Sequence, residues 1–394
     1  MKHPELALGT AAALTFTLGL TACSSQEAPL NPEPSASDTP TTGTSACELS
    51  QPLPEGDGYV ATYLPTWGDA AKFENAAQLT GIDEIKVAFA VVNKDGKIKI
   101  DLNNPGFKKT LPLLSKQAKV VSMGLGGWGA SDEDHKNILK GFDKGLDNPE
   151  EFAADIADAA EQTAKVAFGT DDFGDTAYPE GIKKIGVGLD MEYPDVAQAE
   201  KFPALVTALR DEGIENISMA VAATDQGDPV KRVARKLAKL NVTFDLMSYD
   251  LNGPWSDVAG PITDRRWIVN KVGEWVEAAG SEKAVLAGVP TYGYPFVGAK
   301  AAGEPFDAAA ANTILNTDGM GPLTCQDAIA DTLTKDAITG TSGAQIEHGW
   351  TSLVTPDDAA LLARNVRSKY PGVGMFTWEA NSMTQGHVDA LKQQ

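Results

Sequence analysis

Two carboxyl groups stand two residues apart at the end of a strand-like stretch, and their type and spacing suit proton-transfer chemistry. Between Ile185 and Pro194, apolar side chains alternate with glycines and then with Asp190 and Glu192. Successive strand side chains point to opposite faces, so both acids project from one face. Pro194 cannot extend a central strand, which places the acids at its carboxyl end. Paired carboxyl groups there can act as a general acid beside a charged neighbour.

This stretch resembles the signature of glycoside hydrolase family 18, the chitinases and related endo-N-acetylglucosaminidases. The family pattern is Asp-x-x-Asp-x-Asp-x-Glu, often followed by Tyr-Pro, and the chain reads I-x-x-G-x-D-x-E-Y-P from Ile185 to Pro194. The last two acids of the pattern are therefore present. Ile185 and Gly188 replace the first two.

Other strand-like stretches end in motifs that are similar to those of the same family. These motifs are Tyr63 with Trp67, Ala88-Phe89-Ala90, Gly126-Gly127-Trp128, Met247 to Trp255, Gly288 to Tyr294 and Trp378-Glu379. Any one of these motifs can occur by chance, but their order along one chain favours the family. The chain departs from the family at Gly124, where a serine is usual, and at Tyr294, where an arginine is usual.

The resemblance implies a retaining hydrolysis in which the substrate's own acetamide oxygen attacks the sugar. Glu192 would protonate the leaving oxygen, and Asp190 would orient the acetamide N–H. Tyr249 would donate a hydrogen bond to the attacking oxygen. The further candidate substrate-binding residues are Asp250, Trp378, Tyr63, Met247, Trp67, Trp128, Trp255 and Tyr292. For Trp67, Trp128 and Trp255, packing at the rim of the barrel is the alternative to sugar binding.

The two missing acids lead to a specific expectation about Asp190. The family's middle aspartate would sit at position 188, next to position 124, and the chain has glycine at both. Two carboxyl groups in contact raise one apparent pKa, because they cannot both ionise easily. Without that partner we expect Asp190 to stay ionised to lower pH. Restoring an acid and a serine at the two glycines should then move the acidic limb of activity upward.

The elements that must position these residues are short apolar runs that alternate with longer amphipathic stretches. The eight runs are Gly58–Leu64, Ile85–Val92, Ala118–Leu125, Ile185–Met191, Ile217–Ala223, Phe244–Ser248, Ala284–Pro290 and Val373–Trp378. Strand–helix alternation repeated eight times predicts an α/β fold, a (β/α)8 TIM barrel in a single catalytic domain. A doubly wound open sheet is the alternative.

Capping signals and one long connection refine this prediction. Helices are expected over Glu150–Val166, behind Asn148-Pro149, and over Asp357–Ser368, behind Thr355-Pro356. The segment between the seventh and eighth strands, Val297–Trp350, has Ala-rich patches and few strand-like runs. We therefore expect a modest helical insertion and an open cleft, which favours cleavage within a chain.

The amino-terminal region predicts export and a lipid anchor. A mostly apolar run ends in Leu-Thr-Ala-Cys at Cys23, which looks like a bacterial lipobox and is short for a membrane span. The alternative is an ordinary signal peptide with an incidental cysteine. We predict a signal peptide over 1–22, a lipidated Ser/Thr/Pro-rich linker over 23–50 and the barrel over 51–394. The protein would lie on the extracellular face of a bacterial membrane.

Cysteines, histidines and net charge limit the cofactors and partners. Cys47 and Cys325 could form a disulfide after export or remain free thiols. The four histidines have no ligand spacing, so we predict no metal and no cofactor. A net charge of −21 argues against nucleic acid as a partner and suits a neutral substrate. We expect a monomer.

Three functions remain open at this point. The first is a surface-anchored hydrolase that cuts β-1,4 links beside N-acetylglucosamine, in chitin or chito-oligosaccharides. The second is an endo-β-N-acetylglucosaminidase acting on the N-glycans of glycoproteins with the same residues. The third is a chitin-binding, lectin-like lipoprotein without turnover. Retention of Glu192 argues against the third, because non-catalytic relatives commonly lose that acid.

Overall fold

A closed parallel barrel forms the centre of the protein, as the alternation of runs predicts. The computed structural model describes residues 46–393 except 55, 130, 171–174, 181, 183–184, 317–322, 328–331 and 337. The predicted signal peptide, Cys23 and the linker as far as residue 45 lie outside this range. The strands are β1 (Val60–Pro65), β2 (Glu84–Val92), β3 (Ile98–Ile100), β4 (Val120–Gly126), β5 (Gly186–Asp190), β6 (Ile217–Ala222), β7 (Val242–Met247), β8 (Val285–Pro290), β9 (Pro295–Val297), β10 (Thr334–Asp336), β11 (Thr341–Ile346), β12 (Gly349–Leu353) and β13 (Gly374–Trp378).

The barrel closes because β1 pairs in parallel with both β2 and the last strand, β13. Around the barrel the order is β1-β13-β8-β7-β6-β5-β4-β2, and β3 adds an antiparallel edge to β2. Each of the eight predicted apolar runs overlaps one of these parallel strands, so the TIM-barrel prediction is confirmed. All eight strands therefore direct their carboxyl ends to one mouth.

Helices cover the outside of the barrel and bury its outer side chains. They are α1 (Ala70–Ala76), α2 (Pro105–Ser115), α3 (Asp132–Leu146), α4 (Pro149–Phe168), α5 (Val196–Asp211), α6 (Asp228–Lys239), α7 (Arg265–Ala279), α9 (Pro356–Lys369) and α10 (Gln385–Lys392), while α8 (Ala308–Asn316) packs against β9. Both predicted helices lie within α4 and α9. Thr355 and Asp358 form a capping box at α9, whereas Asn148 precedes α4 without a side-chain capping bond.

The insertion between β8 and β13 is not the helical excursion expected from its sequence. It contains a four-stranded antiparallel sheet in the order β10-β11-β12-β9, together with α8. The prediction was wrong because β11 and β12 are rich in small and polar residues and carry little apolar alternation. Cross-strand pairing and the buried cluster of Phe296, Ala299 and Trp350 stabilise them instead.

A disulfide ties this insertion to the amino-terminal end of the described chain. Cys47 and Cys325 are bonded, 278 residues apart in sequence. The carbonyl oxygen of Cys47 also accepts a hydrogen bond from Thr384 Oγ1 at 3.1 Å. Of the two states that the sequence left open, the structure has the bonded one. In the part of the chain that the structure describes, no helix is long and apolar enough to cross a membrane.

Candidate active site

The two carboxylates of the signature lie at the barrel mouth, where β5 ends. Val187 and Leu189 are fully buried in the core between barrel and helices, so alternation turns Gly188 and Asp190 toward the barrel interior. Asp190 is 5% exposed, and its Oδ1 is buried with no hydrogen-bond partner among the described residues. Glu192, two residues later, is half-buried. The strand therefore presents both acids on one face, as the sequence predicts.

Desolvation sets the acid strength of this pair. Burial raises the pKa of Asp190 well above its usual range, and the negative charges of Glu192 and Asp245 raise it further. Burial also raises the pKa of Glu192 to about 7. A hydrogen bond from Tyr193 opposes this rise, and the charge of Asp250 adds to it. The expectation that Asp190 stays ionised to lower pH was wrong. Its partner at position 188 is missing, but burial and Asp245 act in the opposite direction.

A group of tyrosines after β7 and β8 surrounds the next acid. Asp250 adopts a left-handed backbone conformation, with φ of 58°, and accepts a hydrogen bond from the Tyr292 hydroxyl. Tyr294, which stands in place of the family's arginine, also donates to Asp250. Although Asp250 as a whole is exposed, desolvation raises the pKa of its carboxyl to about 6. Tyr249 packs edge-on against Tyr292, with ring centroids 6.2 Å apart.

Tyr249 is a hydrogen-bond donor at any working pH. Burial, followed by the charges of Asp250, Asp190 and Glu192, raises the pKa of its phenol well above the ordinary value. The same three acids therefore lie within electrostatic range of one hydroxyl. The structure brings Asp190, Glu192, Tyr249 and Asp250 together at one end of the barrel.

Trp378, the last residue of β13, provides an apolar surface beside these acids. Its ring stacks on Phe89, with centroids 5.7 Å apart and planes 15° apart. Tyr63 contacts it at 5.5 Å, but Tyr63 is only 3% exposed and its hydroxyl donates to Asp245 at 2.8 Å. Tyr63 therefore supports the Trp378 ring from within the barrel. Met247 packs with the same interior cluster.

Three exposed tryptophans continue the aromatic surface around the mouth. Trp67, Trp128 and Trp255 are 53%, 43% and 50% exposed and follow β1, β4 and β7. Trp128 stacks on His135 at 4.0 Å, and Trp255 contacts Tyr294 at 5.0 Å. Flat apolar rings fixed at separate places suit a ligand with several sugar rings.

A buried charge network below the mouth was not found from the sequence. Lys86 on β2 is fully buried and lies 2.8 Å from Asp245 on β7. Glu84 is 3.3 Å from the same ammonium group. The available signal was charged residues at inward positions of otherwise apolar strands, which require a buried partner. In the described ranges, no group of three or more histidine, cysteine or acidic side chains could hold a metal.

Comparisons with known proteins identify the family and agree with the fold. A family model, Glycosyl hydrolases family 18, matches residues 59–392. A "chitinase-like effector" of Moniliophthora roreri is 24% identical over 266 residues, which is 64% of this chain but only 62% of that relative. An immunomodulatory active chitinase of Trichuris suis has a TM-score of 0.61 at 16% identity, covering 85% of this chain and 99% of that one.

A second solved structure has the same fold. It is a family 18 chitinase of Cycas revoluta in complex with (GlcNAc)4, with a TM-score of 0.60 and 17% identity. The match covers 85% of this chain and 98% of the Cycas chain. At identities of 16% and 17%, these structures support the fold alone.

Proposed function

This chain belongs to Glycosyl hydrolases family 18, and from that premise we propose that it hydrolyses β-1,4 links next to N-acetylglucosamine in chitin or chito-oligosaccharides. The reaction is retaining and substrate-assisted. The observation that carries the proposal is the burial of Asp190 and Glu192 together at the mouth, within electrostatic range of Tyr249 and Asp250.

Glu192 and Tyr249 have the protonation states that the reaction needs. Glu192, with a pKa of about 7, keeps its proton in mildly acidic solution and can deliver it to the glycosidic oxygen. The unpartnered Oδ1 of Asp190 can accept the acetamide N–H of the sugar. Tyr249 remains protonated and can donate to the acetamide oxygen as that oxygen attacks the anomeric carbon. Trp378 supplies a flat apolar surface for the sugar ring that carries this acetamide.

A substrate panel tests the proposal directly. The purified protein is incubated with chitohexaose, with its de-N-acetylated analogue and with a high-mannose glycoprotein, and the products are identified by mass spectrometry. We expect shorter chito-oligosaccharides and no cleavage of the analogue, because the analogue lacks the attacking oxygen. Release of N-glycans alone would favour the endo-β-N-acetylglucosaminidase alternative. Binding of chitohexaose without products would favour the lectin-like alternative.

We also propose that the protein is exported and held at the membrane through a lipid on Cys23. The support is the Leu-Thr-Ala-Cys sequence followed by a Ser/Thr/Pro-rich segment. Cys23→Ser should move the protein from the membrane fraction to the soluble fraction without changing turnover, because the linker separates anchor and barrel. Immunoblots of fractionated cells measure this. A variant that still sediments with the membranes would contradict the anchor.

A further inference from the structure

The barrel interior below Asp190 holds an ion pair whose two partners come from different strands. Lys86 Nζ lies 2.8 Å from Asp245 Oδ2 and donates to Ser218 Oγ at 2.8 Å. The same Oδ2 accepts the Tyr63 hydroxyl at 2.8 Å and the Ser218 hydroxyl at 3.0 Å. Asp245 and Lys86 are both 0% exposed. All the donors to Asp245 thus meet at one oxygen, and its Oδ1 is buried without a partner among the described residues.

The hydrogen bonds and the ammonium group at Asp245 favour its anionic form, whereas its burial opposes that form. Burial alone would lower the pKa of Lys86, but the carboxylates of Asp245 and Glu84 outweigh it and the pKa is raised. Burial raises the pKa of Asp245 as well, which favours its neutral form, while Lys86 and Tyr63 oppose that shift. Three donors converge on Oδ2, and a neutral Asp245 would leave Glu84 as the carboxylate beside the Lys86 ammonium, so the contacts favour the charged pair.

Asp245 lies next to the residue that borders the position where the family signature would place an acid. A Cβ atom added at Gly188 would lie 3.2 Å from Ser218 Oγ and 3.9 Å from Gly124 Cα. Ser218 Oγ is the same atom that donates to Asp245. Ser218 therefore borders the space at position 188 and also donates a hydrogen bond to the Asp245 carboxylate. A carboxyl group is therefore present in this part of the interior although the signature residue is glycine.

We propose that Asp245, paired with Lys86, is a positioning residue that supplies from β7 the inner negative charge that position 188 lacks. Through this charge it governs the pH at which Asp190 loses its proton. The inference rests on the proposed function in so far as Asp190 acts in hydrolysis. Asp190 and Asp245 each carry a buried oxygen with no hydrogen-bond partner among the described residues, and the charge of Asp245 is one of the causes that raise the pKa of Asp190.

Other titratable groups also face these two residues. Asp190 is within range of Glu192, Tyr63, Tyr193 and Tyr249. Asp245 faces Lys86, Glu84, Tyr63 and Tyr59. All of these groups remain in an Asp245→Asn variant, so the change in that variant reports the loss of the Asp245 charge together with its effect on Lys86.

The test measures ionisation of Asp190 itself. The full chain is labelled with 13C at the aspartate carboxyl, and the Asp190 signal is identified by its loss in Asp190→Asn. Asp245→Asn keeps the shape, and its amide oxygen can accept the bonds now made to Oδ2, so removal of the charge should move the Asp190 midpoint to lower pH. Gly188→Asp combined with Asp245→Asn returns a charge to the inner position and should move the midpoint back up. The acidic limb of chitohexaose hydrolysis should shift in the same directions.

Asp83→Asn is the matched control. Asp83 is also buried and lysine-paired, 2.7 Å from Lys119, but it precedes β2 at the opposite end of the barrel. This variant should lose stability and leave the Asp190 midpoint unmoved. If the ionisation midpoint of Asp190 is the same in Asp245→Asn as in the parent protein, the inference is overturned, even if the protein hydrolyses chitohexaose. A shifted midpoint in a protein without turnover would support the inference and refute the proposed function.

A measurement on the parent covers the case in which Asp245→Asn does not fold. In the parent, the Asp245 carboxyl should remain ionised across the pH range in which Asp190 takes up its proton. If Asp245 is protonated at a higher pH than Asp190, then Lys86 does not hold it as an anion and the inference fails.

Discussion

At the scale of single residues, Glu192 combines the features expected of a general acid. It is half-buried just beyond β5, accepts a hydrogen bond from Tyr193 and has a pKa raised to about 7, mainly by burial. Ordinary glutamates at the surface ionise far below this pH and would not carry a proton to donate. The environment, more than the residue type, therefore makes Glu192 suitable for proton transfer.

Glu192→Gln should lower turnover of chitohexaose roughly 10²- to 10⁴-fold, the usual contribution of a general acid. Glutamine has the same shape but no acidic proton, so binding of chitohexaose should persist. Steady-state kinetics and calorimetry measure the two effects. Glu200→Gln is the control, because Glu200 is exposed on α5 of the same βα unit. Turnover in Glu192→Gln equal to that of the control would remove Glu192 from the mechanism.

The pH dependence of kcat/KM should have a basic limb with a midpoint near pH 7. Glu192 must be protonated to act, so activity is full below its pKa of about 7 and is lost as pH rises through that value. Asp250→Asn removes a charge that raises this pKa and should move the midpoint to lower pH. Activity that stays constant to pH 9 would show that another group donates the proton.

At the scale of secondary-structure elements, β4 and β5 are brought together by two facing glycines. Gly124 and Gly188 are partners in the parallel register of these strands. Their surroundings differ, however. A Cβ at Gly124 would lie 2.8 Å from the Phe89 ring and 3.0 Å from the Val87 carbonyl oxygen, whereas at Gly188 the nearest atom is Ser218 Oγ at 3.2 Å. Restoring a serine at position 124 therefore displaces Phe89, on which Trp378 stacks.

Gly124→Ala and Gly188→Ala form a matched pair that tests this difference. Gly124→Ala should reduce the free energy of unfolding by about 1–3 kcal/mol, the usual effect of overpacking a core. Gly188→Ala should change it by less than about 1 kcal/mol, because only a serine hydroxyl has to move. Urea unfolding of both variants gives the comparison. Equal losses at the two positions would contradict the described packing of Phe89 against β4.

At the scale of the whole molecule, contacts between distant parts of the chain complete the domain. β1 pairs with β13 to close the barrel, and Lys392 near the carboxyl end bonds Asp83 before β2. The Cys47–Cys325 disulfide adds a covalent link between the amino-terminal segment and the inserted sheet. In the loop-entropy account, a disulfide stabilises the folded protein mainly because it lowers the conformational entropy of the unfolded chain.

Replacing both cysteines, Cys47→Ser with Cys325→Ser, should lower the free energy of unfolding by up to about 5 kcal/mol in the loop-entropy account. Turnover at low temperature should be retained, because neither cysteine lies among the residues of the candidate site. Urea unfolding measures the loss, and the parent protein in reducing agent should show the same value. A double variant as stable as the oxidised parent would show that the bond does not restrict the unfolded chain.

The sequence by itself determined the barrel and the main site residues, because both depend on local pattern. Alternation of apolar residues places Asp190 and Glu192 on one face, and repetition of strand and helix places the other motif residues at the same mouth. These features require no knowledge of which strands are neighbours beyond the regular order of a parallel barrel.

The tertiary structure alone decided the inserted sheet, the ionisation of Asp190 and the role of the barrel interior. Strand β12 pairs with β11 and with β9, and the composition of these strands does not predict this pairing. Lys86 and Asp245 are 159 residues apart, and only closure of the barrel brings β2 and β7 to face each other. Ionisation follows from burial and from such distant charges, so a missing acid at position 188 could not by itself predict the behaviour of Asp190.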